Sequence, residues 1–266
     1  MKRVATLVLA LATVLAGCTG PAARTGGSPS ASPSTTVRVA AAADLKYALE
    51  DVRAELAPAG IDLALTFGSS GTFYQQLLNG APFDVYLSAD LAYPEQLARA
   101  GLAAPEDVFP YAVGRLAVWA PNDSPVDPGR GLQAVLDPGA TKVAIANPEH
   151  APYGKAAVAA LTSAGLYDRV KPKLVLGENV AQAAQFVESG SAQVGIIALS
   201  LALAPPLTKA GRYAEVPLDT FPRLDQGGVV LNSAQDPAAA HRVRDFLLGD
   251  RGRAILKRYG FFLPGS

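Results

Sequence analysis

The chain has 266 residues, of which 50% are hydrophobic, 17% charged and 7% aromatic, too much apolar material for a disordered chain to leave solvated. Lys plus Arg (23) balance Asp plus Glu (23), so no basic face is on offer to a nucleic-acid backbone. The single cysteine excludes a disulfide framework and a thiolate zinc cluster, and two histidines leave little for a protein-ligated metal centre.

Lys2 and Arg3 precede an apolar run, Val4 to Leu15, that is too short to span a bilayer as a mature helix but has the layout of a secretory signal. It ends in Leu15-Ala16-Gly17-Cys18, which resembles the lipobox of bacterial lipoproteins. That resemblance implies cleavage before Cys18, lipidation of its side chain, and a protein anchored to the outer face of a bacterial cell membrane. Residues 19–36 are rich in Pro, Ser, Gly, Ala and Thr, with Arg24 as their only charge, and read as a flexible tether. The expected division is therefore a signal peptide over 1–17, a lipidated N-terminus and linker over 18–36, and a folded part beyond.

From Val37 short β-rich runs alternate with helical patterns. Val37 to Ala41 reads as a strand, and Leu45, Leu49, Val52 and Leu56 then line one face of a helix. Ile61 to Phe67 is the next strand, closed by Gly68-Ser69-Ser70-Gly71 before a helix through Phe73, Leu77 and Leu78. Val85 to Ser88 is a third strand, with a helix over Pro94 to Ala100. This order predicts a mostly parallel sheet covered on both faces. A long strand, Gly114 to Ala120, leads into Pro121-Asn122-Asp123-Ser124-Pro125, which reads as a crossing between domains. A second series follows: strand 142–146, helix 154–164, strand 173–176, helix 181–189 and strand 193–198. The segment after Val216-Pro217 returns to the first domain, which closes with helices over 237–248 and 251–259. The predicted fold is α/β, two doubly wound domains joined by hinge strands, with 37–114 plus 217–266 as domain I and 115–216 as domain II.

Ligands of open α/β sheets sit outside the carboxyl ends of the strands. Four strand-to-helix junctions lie there: Ala43-Asp44, Gly68-Ser69-Ser70-Gly71, Ala151-Pro152-Tyr153-Gly154 and Glu178-Asn179-Val180. Converging helix starts present unpaired N–H groups and the positive end of the helix dipole, which together hold an anion without a cationic side chain.

The stretches Ala41-Ala42-Ala43-Asp44-Leu45, Phe67-Gly68-Ser69-Ser70-Gly71, Asn79 to Asp90, Asn147 to Gly154, Glu178-Asn179-Val180 and Lys257 to Phe261 resemble, in order, the molybdate-binding proteins of ABC transporters. The resemblance implies a periplasmic-binding-protein-like fold of type II. It also implies a tetrahedral oxyanion held in the interdomain cleft by neutral donors, with molybdate, and tungstate of nearly the same size and charge, as ligands. Carried over by position, the ligand-binding residues are Ala43, Asp44, Ser70, Tyr153 and Val180, with Ser70 giving both N–H and hydroxyl. This chain has Asp44 where many members have serine, and Ala198 where some have a tyrosine, whose hydroxyl is then expected from Tyr153. A carboxylate aimed at a dianion would repel it, so Asp44 is expected to turn away and cap the helix through the N–H of Lys46 or Tyr47. The implied partner is an ABC transporter membrane permease, the protein acts as a monomer, and no cofactor is called for.

Rival readings are weaker. Ser70 lies outside a nucleophile elbow, His150 and His241 come without recognisable partners, and there is no phosphate-binding or dinucleotide fingerprint, so the chain does not read as an enzyme. Glu149 and His150 are adjacent on a Pro-flanked loop with no third ligand, a poor metal site, and His150 reads as a loop residue bonded to backbone. Sulfate and phosphate are the other oxyanions to separate from molybdate.

Overall fold

A computed structural model describes residues 34–265. The expected signal peptide, Cys18 and nearly all of the tether lie outside the described residues. Strand pairing begins inside the expected tether, at Thr35, because its N–H reaches the Gly60 carbonyl at 2.8 Å and brings the strand into register with its neighbour.

The chain opens with β1 (Thr35–Ala42), a 3-10 turn (Ala43–Leu45), α1 (Lys46–Leu56), β2 (Ile61–Gly68), α2 (Ser70–Leu78), β3 (Val85–Ser88), α3 (Ala92–Arg99) and β4 (Val108–Gly114). It then runs through β5 (Leu116–Pro121), β6 (Val143–Ala146), α4 (Pro152–Ser163), α5 (Tyr167–Val170), β7 (Leu174–Gly177) and α6 (Val180–Glu188). After β8 (Val194–Ala198), α7 (Leu199–Ala202), α8 (Pro205–Ala210) and β9 (Gly211–Glu215), it ends with β10 (Leu224–Val230), α9 (Pro237–Leu248) and α10 (Asp250–Arg258). Two 5-stranded sheets result, ordered β2-β1-β3-β10-β4 and β7-β6-β8-β5-β9. This is a two-domain α/β fold of the expected class.

Strand periodicity sorts the first sheet's side chains onto two faces. Val37, Val39 and Ala41 pack with Leu45, Leu49 and Val52 of the α1 side and with Val243 and Leu247 of α9, whereas Ala40, Tyr86 and Val229 pack with Phe73, Leu77 and Leu97 of α2 and α3. Each fully buried leucine there contributes about 1.5 to 3 kcal/mol. The second sheet has its own core around Trp119, Ile145, Leu161 and Ile197, and that cluster also takes in Ala42, Ala43 and Ala89 from the first sheet's strand ends. Small residues at those ends let the two halves touch.

Three local expectations are corrected. Both sheets are mixed rather than mostly parallel: β10 runs antiparallel to β3 and β4, and β5 antiparallel to β8 and β9. The single strand expected over Gly114 to Ala120 is the junction of two strands in different sheets, so the chain crosses at Gly114–Arg115 and not at Pro121–Pro125. Both strands are apolar and buried, and side-chain periodicity does not register a change of sheet. The strands β4 and β9 were not predicted. β4 lies at an edge, the position that tolerates its Pro110, while edge strand β9 exposes Arg212, Tyr213 and Glu215 and so lacks an apolar rhythm.

Candidate functional site

The four junctions come together. Ala43, Asp44, Ser69, Ser70, Tyr153 and Val180 line one small pocket, and no Lys, Arg or His side chain lines it. All five residues expected to meet the ligand are therefore in one place. Ser70 and Val180 are the first residues of their helices and Tyr153 the second of its own, positions whose N–H has no acceptor inside the helix. Of the four junctions only that of α6 has a side-chain cap, with Asn179 accepting from the N–H groups of Ala181 and Gln182 at 3.0 Å each. The starts of the Ala43 turn, α2 and α4 carry no side-chain cap, which leaves their positive ends to the pocket.

Ser70 is oriented by its surroundings. Its hydroxyl oxygen accepts the Ala89 N–H at 2.9 Å, which aims the group and leaves its own proton for another acceptor, and its carbonyl accepts the Tyr86 hydroxyl at 2.7 Å. Beside it the two halves are latched across the cleft. Ser69 Oγ donates to the His150 carbonyl at 2.6 Å and the Gly71 N–H donates to the same oxygen at 3.0 Å. A Cβ on Gly71 would lie 2.5 Å from that oxygen, so the approach requires glycine. The His150 ring meets Ser69 Oγ through Nδ1 at 3.0 Å and faces the Glu178 carboxylate at 3.4 Å through Nε2.

Asp44 departs from its expected role. The turn over Ala43–Leu45 precedes α1, so Leu45 takes the N-cap position and the Asp44 side chain, 1% exposed, is swung inward. Its Oδ2 accepts the Tyr153 hydroxyl at 2.9 Å and Gln226 Nε2 at 2.6 Å, while Oδ1, equally buried, has no hydrogen-bond partner. Gln226 Oε1 in turn accepts the Tyr111 hydroxyl at 2.9 Å, and Ser200 Oγ donates to the Asp44 carbonyl at 2.7 Å. The Tyr153 hydroxyl proton is thus spent on Asp44 rather than facing the pocket as expected. Gly114 makes room for this network, since a Cβ there would sit 2.4 Å from Tyr153 Oη. Burial pushes the Asp44 carboxyl up to about 6, against the pull of Gln226, Tyr153 and the nearby N–H groups of Asp44 and Leu45. Burial, with the charge of Asp44 added, also raises Tyr153 and Tyr111 well above the ordinary phenol range.

Gln226, Tyr111 and Ser200 were not foreseen from sequence. One signal was available for Gln226, an amide that follows exposed Asp225 in β10 and so alternates onto the buried face, where a fully buried polar side chain demands partners. Among the described residues no three His, Cys, Asp or Glu side chains gather as metal ligands would. Among the same residues no helix is long and apolar enough to cross a membrane.

The profile described as bacterial extracellular solute-binding protein matches residues 37–262, nearly the whole described chain. The chain belongs to that family. This solute-binding protein is 37% identical to the molybdate-binding protein ModA of Azotobacter vinelandii over 259 residues, 97% of each chain. It is 38% identical to the ModA of Rhodobacter capsulatus over 202 residues, 76% of this chain and 78% of that one. Among solved structures it superimposes on the Azotobacter vinelandii periplasmic molybdate-binding protein with a TM-score of 0.80 at 31% identity, covering 86% of this chain and 99% of the other. It also shares its fold with the sulfate-binding protein SubI of Mycobacterium tuberculosis, at 14% identity and a TM-score of 0.69.

Proposed function

We propose that this solute-binding protein captures molybdate, and tungstate with it, and delivers the anion to the membrane permease of an ABC transporter. The observation that carries the reading is the convergence of uncapped helix starts and Ser70 on a pocket without a cationic side chain. Fixed neutral donors in a dry site suit a dianion that must later be released, and the names of the relatives supply the chemistry. Ala43, Asp44, Ser70, Tyr153 and Val180 form the binding set, met by the ligand through its oxygens. The lobes, 37–114 with 217–266 and 115–216, close on the ligand as two bodies about the crossings, since a ligand bridging both favours the closed state. The protein works as a monomer held at the outer face of the membrane by lipid on Cys18.

Two measurements test this. Molybdate and tungstate raise the melting temperature at concentrations where sulfate and phosphate do nothing, as expected of ligands that bind only the native state; equal shifts with sulfate, or none with molybdate, overturn the assignment. Changing Cys18 to Ala releases the protein from the membrane fraction without altering binding by the soluble domain, and a variant still retained with lipid refutes the anchor.

A further inference from the structure

Asp44 raises a problem that the neutral-donor reading does not solve. It lines the pocket, it is 1% exposed, and an ionised carboxylate there stands against a dianion. Its two oxygens are not equivalent. Oδ2 already accepts two hydrogen bonds, from Tyr153 and Gln226, whereas buried Oδ1 has no hydrogen-bond partner, the N–H groups of Asp44 and Leu45 lying near the carboxyl without closing a bond to it. If the carboxyl holds a proton, that proton belongs on Oδ1, and a buried O–H without a protein acceptor needs one from the ligand.

Resting on the molybdate reading, we propose that the oxyanion is captured together with one proton, which sits on Asp44 Oδ1 and is donated in a hydrogen bond to an oxygen of the anion. The balance is simple: carboxylate, dianion and one proton from solvent give a neutral carboxyl bonded to the intact dianion, with no covalent bond broken in the ligand. A repelling charge thereby becomes an additional donor. Burial has already displaced the Asp44 equilibrium toward the protonated form, and a dianion alongside displaces it further.

The groups in direct contact with the Asp44 carboxylate and its partners are uncharged. From α4 and β4 it is faced by Tyr153 and Tyr111, both held neutral by burial, and from β10 and α7 by the uncharged Gln226 and Ser200. On α1 and α6, Lys46 and Glu188 interact with one another, and Tyr47 feels Glu188. His150, across the cleft, is engaged with Ser69 and Glu178.

The experiment is calorimetric titration of the soluble domain with molybdate between pH 6 and pH 8, in buffers of different ionisation enthalpy, for the natural protein and for Asp44→Asn. The amide keeps the shape and offers an N–H that does not titrate. The natural protein should lose affinity by about tenfold per pH unit and take up close to one proton at the alkaline end. Asp44→Asn should show neither effect, and melting curves of the empty variant establish that it folds. Tight molybdate binding with a flat pH profile overturns the proton and leaves the molybdate reading intact, as does a slope that persists unchanged in Asp44→Asn. Absence of molybdate binding at every pH overturns both. Inorganic phosphate binding in place of molybdate also overturns both, because a ligand carrying its own proton would make Oδ1 an acceptor.

Discussion

Ser70 and Gly114 show how single positions shape the site by different means. Ser70 acts through a proton: its oxygen accepts the Ala89 N–H, and the hydroxyl proton is left to donate elsewhere. Replacing it with Ala should weaken molybdate binding by about 1.5 to 3 kcal/mol, roughly one to two decades in Kd, the value of a charge-assisted bond in a dry site. Titration calorimetry reads this directly, and an unchanged Kd would reduce Ser70 to a packing residue. Gly114 acts through absence: any Cβ would overlap the Tyr153 hydroxyl and lie 2.7 Å from Gln226 Nε2. Gly114→Ala should therefore cost about 1 to 3 kcal/mol by urea unfolding as the network shifts to accommodate the methyl group. Full stability in that variant would show that Tyr153 and Gln226 move apart without penalty.

The first sheet depends on an ion pair that joins its elements. Arg38 on β1 gives its backbone N–H to Asp84 Oδ2 at 2.7 Å and its Nε to the same oxygen at 3.0 Å, and Asp84, at the lead-in to β3, also accepts the Gln235 N–H at 2.9 Å. Burial raises the Asp84 carboxyl, but the Arg38 hydrogen bonds, those of the backbone and the Arg38 charge outweigh it and hold the group below the usual carboxylate range. A carboxyl so lowered contributes stability above its ordinary pKa of about 3.9 and loses it as pH falls through the lower folded value. Asp84→Ala should lower unfolding free energy at pH 7 by about 3 kcal/mol, and the gap to the natural protein should narrow on acidification. An equal gap at pH 7 and pH 3 in urea titrations would mean that the pair is not the source. The partners lie 46 residues apart, so the bond ties β1 to β3 and not merely neighbours in the chain.

Over the whole molecule, the latch at His150 and the network at Asp44 both join residues of the first sheet's junctions to residues of the second's. The Asp44 carboxyl is pushed up to about 6 where it is buried, and in the proposed hinge motion an opened cleft would return it to water and an ordinary value. Its contribution to the closed form is complete below the ordinary carboxylate pKa and disappears as pH rises through about 6. The empty protein should accordingly open as pH rises. Small-angle scattering without ligand should give a larger radius of gyration at pH 8 than at pH 5, with molybdate restoring the smaller value at both. A radius independent of pH in the empty protein would show that Asp44 does not bias the hinge.

Much of this architecture is legible in the chain because helices and strands are set by local periodicity. Leu45, Leu49, Val52 and Leu56 mark α1 through the burial of one face, and α9 begins and ends at the residues expected for it, with Asp236 capping it through the Ala239 N–H. The four junctions are legible for the same reason, being strand ends followed by small or polar residues. Tertiary structure alone decided which sheet each strand joins, since β4 and β5 are equally apolar and only their hydrogen-bond partners differ. It also decided where the Asp44 side chain points. From sequence, an Asp at a helix start is a cap, because its near neighbours offer N–H groups. In the fold, stronger donors arrive from Tyr153 and from Gln226, the latter 182 residues away, and they draw the carboxylate into the interior. A side chain's direction is set by the partners that long-range packing supplies, and no local pattern encodes them.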